Sequence, residues 1–187
     1  DHASEGFLSS LKDGSILLIF RIDPGIEGDH VGTNAFIAKI PYDPQKDQWG
    51  KIDTVFDDPR YDDRNIHGGV TKDGRIILFF RKYDGKETEN RYFMYSNDRG
   101  RTWSEPQRSS AWSDPVSSKI SGIWSTGQMF HNPDIDKYIM VGCQRYITYS
   151  KDGTSWEEYN LITDNNDYRL SEIAAAWCGN NRIIALI

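Results

Sequence analysis

The sequence predicts an all-β fold built of repeated four-stranded antiparallel sheets, and three observations predict it. A segment recurs along the chain, each copy being two strand-like runs about a turn. Ser-Asp-Gly-Trp turn motifs follow two of the copies, and no stretch carries a sustained helical period with caps. Six Trp, ten Tyr and eight Phe among 187 residues suit strands with aromatic packing, and the length suffices for one core, expected as a single domain over 1–187.

The first copy, Ser4 to Arg21, lies over Arg64 to Arg81 without a gap, so Asp13-Gly14 falls on Asp73-Gly74 and Ile16 to Phe20 on Ile76 to Phe80. A weaker copy is Asp136 to Gly142, and a further one runs from Ser171-Glu172-Ile173 through Asn180-Asn181 to Ile187. Spacings of about 44 to 63 residues correspond to one four-stranded unit per repeat, the range of β-propeller blades. Each unit opens with a strand, a turn and a second strand apolar on both faces, as in Ile76 to Phe80, which suits a strand sandwiched between neighbouring sheets. Third strands are expected at Asn34 to Ile40, Arg91 to Tyr95 and Tyr146 to Tyr149.

The turn motifs then join third to fourth strands. In Ser96-Asn97-Asp98-Arg99-Gly100-Arg101-Thr102-Trp103 and Ser150-Lys151-Asp152-Gly153-Thr154-Ser155-Trp156, Ser and Asp side chains can bond the loop backbone. Gly supplies positive φ, and Trp packs beneath as an anchor. In the first unit the longer loop Tyr42 to Trp49 takes this place and keeps the Trp. The count is three whole units and a terminal hairpin from Glu172 to Ile187. Such a partial stack leaves blade faces exposed, and the remainder of a propeller or a second chain is expected to cover them.

Composition narrows the partners. A formal charge of −6 and a pI near 5.2, with no basic stripe, argue against a nucleic-acid surface. No run of about 18 apolar residues offers a membrane span. His2, His30, His67 and His131 lack zinc-binding spacing, so neither a metal nor a cofactor is expected. Cys143 and Cys178 lie in apolar strand patterns and read as buried free thiols.

Hairpin geometry picks out the candidate binding residues. Glu5 and Arg21 lie at the open end of the first hairpin, facing each other, and Asn65 and Arg81 repeat the arrangement with the same offsets. Glu172 repeats the first position. If equivalent first strands line a central channel, these residues ring one mouth, and Arg with carboxylates there suits a small acidic ligand, because guanidinium pairs bidentately with carboxylate. A structural Glu5–Arg21 ion pair is the alternative. Asp62-Asp63-Arg64 reads first as a solvated turn, with contact to ligand as the alternative. His67 is expected to pack on its sheet or to face the mouth beside Asn65, and Trp112 and Trp124 to pack in the core or to stack on a sugar.

The two turn motifs on aromatic-rich strands resemble the Asp-box repeat of the sialidase (neuraminidase) superfamily, whose six-bladed propeller this chain would fill by about three and a half blades. The resemblance implies an exo-glycoside hydrolase acting on a terminal acidic sugar of a carbohydrate or glycoconjugate. Non-catalytic binding propellers carry the same turns and form the alternative. The family's acid/base Asp lies on the loop after the first hairpin, where Glu27-Gly28-Asp29-His30-Val31-Gly32 places Asp29. Its Glu that activates a Tyr nucleophile opens the fourth blade, where Ser171-Glu172-Ile173-Ala174 places Glu172. The second blade of animal sialidases opens like Arg64-Asn65, and the Arg-Ile-Pro motif of the first blade would fall near Ser4-Glu5-Gly6, where no Arg stands. The family's remaining Arg residues and its Tyr would fall after Ile187.

Overall fold

A computed structural model describes residues 2–25, 34–84, 91–111, 127–142, 146–161, 174–180 and 182–186. Among these residues every strand pairing is antiparallel and there is no helix. The first sheet runs β1 (His2–Ser10), β2 (Ile16–Asp23), β3 (Phe36–Asp43) and β4 (Gln48–Trp49), with β5 (Asp53–Phe56) also paired to β3. The second sheet orders β6 (Asp62–Val70), β7 (Ile76–Tyr83), β8 (Arg91–Ser96) and β9 (Gln107–Arg108). A third holds β10 (Phe130–Asn132), β11 (Lys137–Gly142), β12 (Tyr146–Ser150) and β13 (Trp156–Leu161). The last is a hairpin of β14 (Ala174–Trp177) and β15 (Ile183–Leu186).

The gapless repeat is also a repeat of register. Ser10 pairs with Ile16 and Ser4 with Arg21, and Val70 pairs with Ile76 and Arg64 with Arg81 at the same offsets. Each first strand breaks step at the same place, where Glu5 (φ 47°) and Asn65 (φ 55°) adopt left-handed backbone within a bulge. At the other hairpin end Gly14 and Gly74 take φ of 84° and 96°, closing matching turns in which Gly14 N–H bonds Leu11 O and Gly74 N–H bonds Thr71 O.

Apolar alternation on the second strands explains why the sheets stack face to face. On β7, Ile76, Leu78 and Phe80 join Leu17, Ile19 and Ile37 of the first sheet, while Ile77 and Phe79 join Tyr138 and Met140 of the third. On β11 the other face, Ile139 and Val141, meets Ala175, Ile183 and Ala185 of the last hairpin. A strand buried on both sides stabilises two interfaces at once, each fully buried large side chain contributing about 1.5–3 kcal/mol. The Trp-bearing turns pin the outer ends. Ser96 Oγ accepts from Gly100 N–H at 2.8 Å and Asp98 from Thr102 N–H at 2.9 Å, and Trp103 packs against the first core. Ser150 Oγ accepts from Gly153 N–H at 2.9 Å, and Trp156 is buried against Phe79.

Neighbouring backbone approaches β6 so closely that two side chains are excluded. A Cβ on Gly68 would lie 2.1 Å from Ile77 O, and one on Gly69 would lie 2.2 Å from Met129 O, beside the bond that Met129 N–H makes to Gly68 O.

Three expectations need correction. Asp62, Asp63 and Arg64 form the buried start of β6 rather than a solvated turn: Arg21 reaches across from the first sheet to pair with Asp62, Asp63 accepts the Asp58 N–H, and Arg64 lies between Asp62 and Glu5. Cys178 is an exposed free thiol, since it follows β14, where burial alternates and no further sheet packs among the described residues. Trp49 keeps its place in the repeat but lies on the surface, paired with Tyr42. Cys143, Trp112 and Trp124 lie outside the described residues.

The close approach gives a stability prediction. Gly68→Ala should cost about 3 kcal/mol in urea unfolding, because the new methyl meets backbone and cannot be accommodated by a rotamer change. Gly14→Ala should cost about 1 kcal/mol, since its penalty is the left-handed backbone alone and no described residue beyond its chain neighbours lies within 4 Å of the added Cβ. Equal losses would remove the steric explanation.

Candidate functional site

The charged groups gather at the hairpin ends opposite the Asp-Gly turns. β1 and β6 begin there, and β2 and β7 end there. Arg21 is 0% exposed, and its guanidinium donates from Nε to Asp62 Oδ1 at 3.1 Å and from Nη2 to both Asp62 oxygens at 3.0 and 3.2 Å. Nη2 also meets Asp23 Oδ2 at 3.1 Å, and Nη1 donates to Ser4 Oγ at 3.3 Å. A buried guanidinium requires this degree of satisfaction, and removing one partner of such a pair costs about 3–5 kcal/mol. Asp23 in turn accepts the Gly25 N–H on Oδ1 at 3.1 Å, fixing the chain where it leaves β2.

Glu5 lies in the bulge of β1, and the register sets Ser4, not Glu5, opposite Arg21. The Glu5 carboxylate is directed instead at the second sheet. It accepts the Asn65 N–H on Oε2 and stands 4.0 Å from Arg64 Nη2, while Arg64 Nη1 reaches Asp62 Oδ2 at 3.5 Å. Arg64 and Arg81 lie over the Tyr83 ring at 5.3 and 4.9 Å, so one aromatic face is shared by two cations. Glu5, Arg21, Asn65, Arg64 and Arg81 are thus brought to one end of two adjacent sheets. Asp29 and Glu172 lie outside the described residues.

Beside this cluster is a group that the sequence reading did not single out. Lys82 Nζ bonds Asp58 at 2.9 Å and lies 4.7 Å from the Phe56 ring and 5.1 Å from the Tyr92 ring. Arg60 and Lys82 hold the Asp58 carboxyl well below the usual carboxylate range. Asp63 is fully buried, and its Oδ2 accepts the Asp58 N–H at 2.9 Å while Oδ1 has no hydrogen-bond partner among the described residues. Burial pushes its carboxyl up to about 7. A sequence signal did exist for Asp62, because Arg21 sits on an apolar strand whose own hairpin offers Ser4 and Asp23 but no second acid in register.

A cavity of about 720 Å³ opens next to the cluster. Its walls come from β1, β6, residues 127–128 and β14, including Phe7, Ile66, His67 and Ala174, and Ser4 belongs both to this wall and to the Arg21 shell. His67 stacks on Phe79 with ring centroids 5.2 Å apart and places Nδ1 2.9 Å from Asn65 O, so Nδ1 carries the proton toward that carbonyl. Burial lowers its pKa to about 4, leaving the ring neutral. Among the described residues no group of three or more His, Cys, Asp or Glu is arranged to hold a metal ion.

No protein-family model and no curated protein matches the chain. Solved structures match it in fold. A protein of unknown function from Dyadobacter fermentans superposes with a TM-score of 0.73 at 17% identity, over 98% of this chain and 61% of its own. The Hadza microbial sialidase Hz136 gives a TM-score of 0.58 at 15% identity over 92% of this chain and 39% of its own. The polysaccharide lyase Uly1 gives 0.54 at 10% identity over 99% and 54%. The chain therefore spans less than two thirds of each of these proteins, and at these identities the likeness is one of fold.

Two buried titrating groups predict opposed pH effects. Between about pH 3.9 and 7 the folded chain keeps on Asp63 a proton that the unfolded chain releases, so this group makes stability fall as pH rises. Between about pH 4 and 6.5 the unfolded chain holds on His67 a proton that the folded chain lacks, so this group makes stability rise with pH. Relative to the wild type, Asp63→Asn should add a positive slope to stability across this window and His67→Phe a negative one, each by up to about 1.4 kcal/mol per pH unit. Urea midpoints collected from pH 4 to 7 check this, and parallel curves for all three proteins would refute it.

Proposed function

We propose that this chain supplies the first blades of a sialidase-like β-propeller and that the intact protein removes a terminal acidic sugar from a glycan. The observation that carries the reading is the meeting of Glu5 with Arg64 and Asn65 at the strand ends bordering the cavity. Charged groups of both signs from two sheets converge there beside a wall of small and apolar residues. Fold likeness to a sialidase and to a polysaccharide lyase supports a carbohydrate ligand.

In this reading Glu5, Asn65, Arg64 and Arg81 are the groups that meet the sugar's polar substituents. Arg21, already enclosed by Asp62, Asp23 and Ser4, acts as a positioning residue that locks the first sheet to the second. Asp29 protonates the leaving oxygen, and Glu172 deprotonates a Tyr nucleophile contributed by a later part of the protein. The chemistry has a charge-based rationale. An acidic sugar with its carboxylate at the reacting carbon repels a carboxylate nucleophile, whereas a neutral Tyr deprotonated by Glu avoids that repulsion. A second reading, a non-catalytic carbohydrate-binding propeller, is favoured by one observation: no Arg stands near Ser4-Glu5-Gly6, where the resemblance would put the family's first carboxylate-binding Arg.

Hydrolysis by the intact protein separates the two. Asp29→Ala should lower turnover of a sialyl-oligosaccharide by about 100-fold or more while affecting an activated aryl sialoside much less, because an acidic leaving group needs no proton. Equal losses on both substrates would exclude Asp29 as the acid. Retained binding of the oligosaccharide by a wild-type protein that hydrolyses neither substrate would establish the binding module instead.

A further inference from the structure

The first sheet departs from the next two at its fourth strand. Trp103 and Trp156, which close the corresponding turns, pack against the cores, whereas Trp49 is 47% exposed. The hairpin at Trp49 is fixed without using that ring as an anchor. Gln45 N–H donates to Asp43 Oδ1 at 3.0 Å, Lys46 Nζ pairs with Asp43 at 2.9 Å, and Gly50 N–H donates to Pro41 O at 2.8 Å. Gly50 lies so close to Pro41 that an added Cβ would meet Pro41 Cγ at 2.8 Å. Asp47, in left-handed backbone at φ 50°, accepts the Tyr42 hydroxyl at 2.6 Å. Trp49 is the cross-strand partner of Tyr42, with ring centroids 4.9 Å apart and planes at 47°. Pro41 and Ile52 are exposed nearby in the sequence, and the exposed Trp49 is itself paired with a second aromatic ring rather than standing as a single stray side chain.

We propose that Tyr42 and Trp49 form a platform on which the apolar face of a neutral pyranose unit of a glycan stacks. Two rings held at an angle by a rigid hairpin present a fixed, shallow apolar surface that costs little side-chain entropy on binding. The Asp47 carboxylate beside the phenol offers an acceptor for sugar hydroxyls and repels a sugar carboxylate, which sets this platform apart in charge preference from the arginine-bearing cluster. It is separate in position too. Tyr42 is in register with Ile16 and Ile37 with Arg21, so the platform lies five residues along the strands, about 17 Å, from the Arg21 end. A longer glycan could be held here at a unit remote from the one enclosed at the cluster, and the platform does not depend on the hydrolytic reading.

Calorimetric and fluorescence titration of the protein with cellohexaose, maltohexaose and mannohexaose, with hexagalacturonate as the acidic probe, tests this. At least one neutral hexaose should bind with a dissociation constant in the millimolar range, about −4 kcal/mol. Trp49→Ala should weaken that binding about tenfold or more, with Trp49→Phe retaining part of it, while the unfolding temperature and sialoside turnover stay at wild-type values. Absence of binding by all three neutral probes at about 10 mM, unchanged affinity in Trp49→Ala, or a loss of hexagalacturonate binding in Trp49→Ala as large as that of the neutral probe would overturn the proposal. Loss of self-association in sedimentation of Trp49→Ala, with no sugar binding by the wild type, would show instead that the platform is a contact between copies of this chain.

Discussion

Everything else in this structure follows from second strands that are apolar on both faces. A strand such as Ile76 to Phe80 cannot sit at the surface of a two-layer domain, because one face would always be left in water. It has to be enclosed by a sheet on each side, as β7 is by the first and third sheets and β11 by the second and the last. Stacking then repeats down the chain, and the first strands are forced together at one edge of the stack. Gly69 is the local consequence, since only a missing Cβ allows Met129, which leads into β10, to lie against it, while Gly68 leaves room for the Phe7 ring of β1 and the Ile77 carbonyl of its own sheet.

That crowding also creates the polar problem at the strand ends. Where β1, β2, β6 and β7 terminate, the apolar stacking brings charged side chains together under conditions that exclude water, and each must find a partner there. Pairs form within each repeat, as Arg21 with Asp23 and Arg64 with Asp62, and also between repeats. Arg21 of the first unit takes Asp62 of the second, and Glu5 of the first takes the Asn65 N–H and approaches Arg64 of the second. A clasp of this kind fixes the relative placement of two sheets whose apolar contacts alone would tolerate sliding. The same groups border the cavity, so the residues that hold the sheets in register also set the electrostatics of its rim.

Much of this was legible from the chain. Units, turns and second strands follow from local features, namely Asp-Gly spacing, period-two alternation and runs such as Ile76 to Phe80, and the gapless superposition of Ser4 to Arg21 on Arg64 to Arg81 carries over to the register residue for residue. What failed to show is non-local. Asp62 and Asp63 look like a solvated turn because consecutive acids usually are one, and the burial of Asp62 depends on Arg21, 41 residues upstream, while Asp63 is met by the Asp58 N–H. The bulge at Glu5 leaves no mark either, since Glu, unlike the Asn65 at the matching position, is not a residue that advertises a left-handed backbone. Cys178 sits in an apolar run as a buried cysteine would, yet the run belongs to the last hairpin, whose outer residues Ile184 and Leu186 are exposed.

Trp49 shows the limit of reading by equivalence most clearly. Its place in the repeat is that of Trp103 and Trp156, and the argument that a Trp after such a turn packs beneath it holds for those two. In the first unit the turn is closed by Asp43, Asp47 and the Gly50–Pro41 contact, so the demand for an aromatic anchor is already met. A side chain relieved of its structural duty is unconstrained by the core, and a Trp that stays large, exposed and paired with a second aromatic is then governed by what it meets in solution. The two ends of the first sheet therefore differ in kind: one is closed by ion pairs that satisfy one another, and the other carries an open aromatic surface whose polar edge is already oriented by the hairpin beneath it.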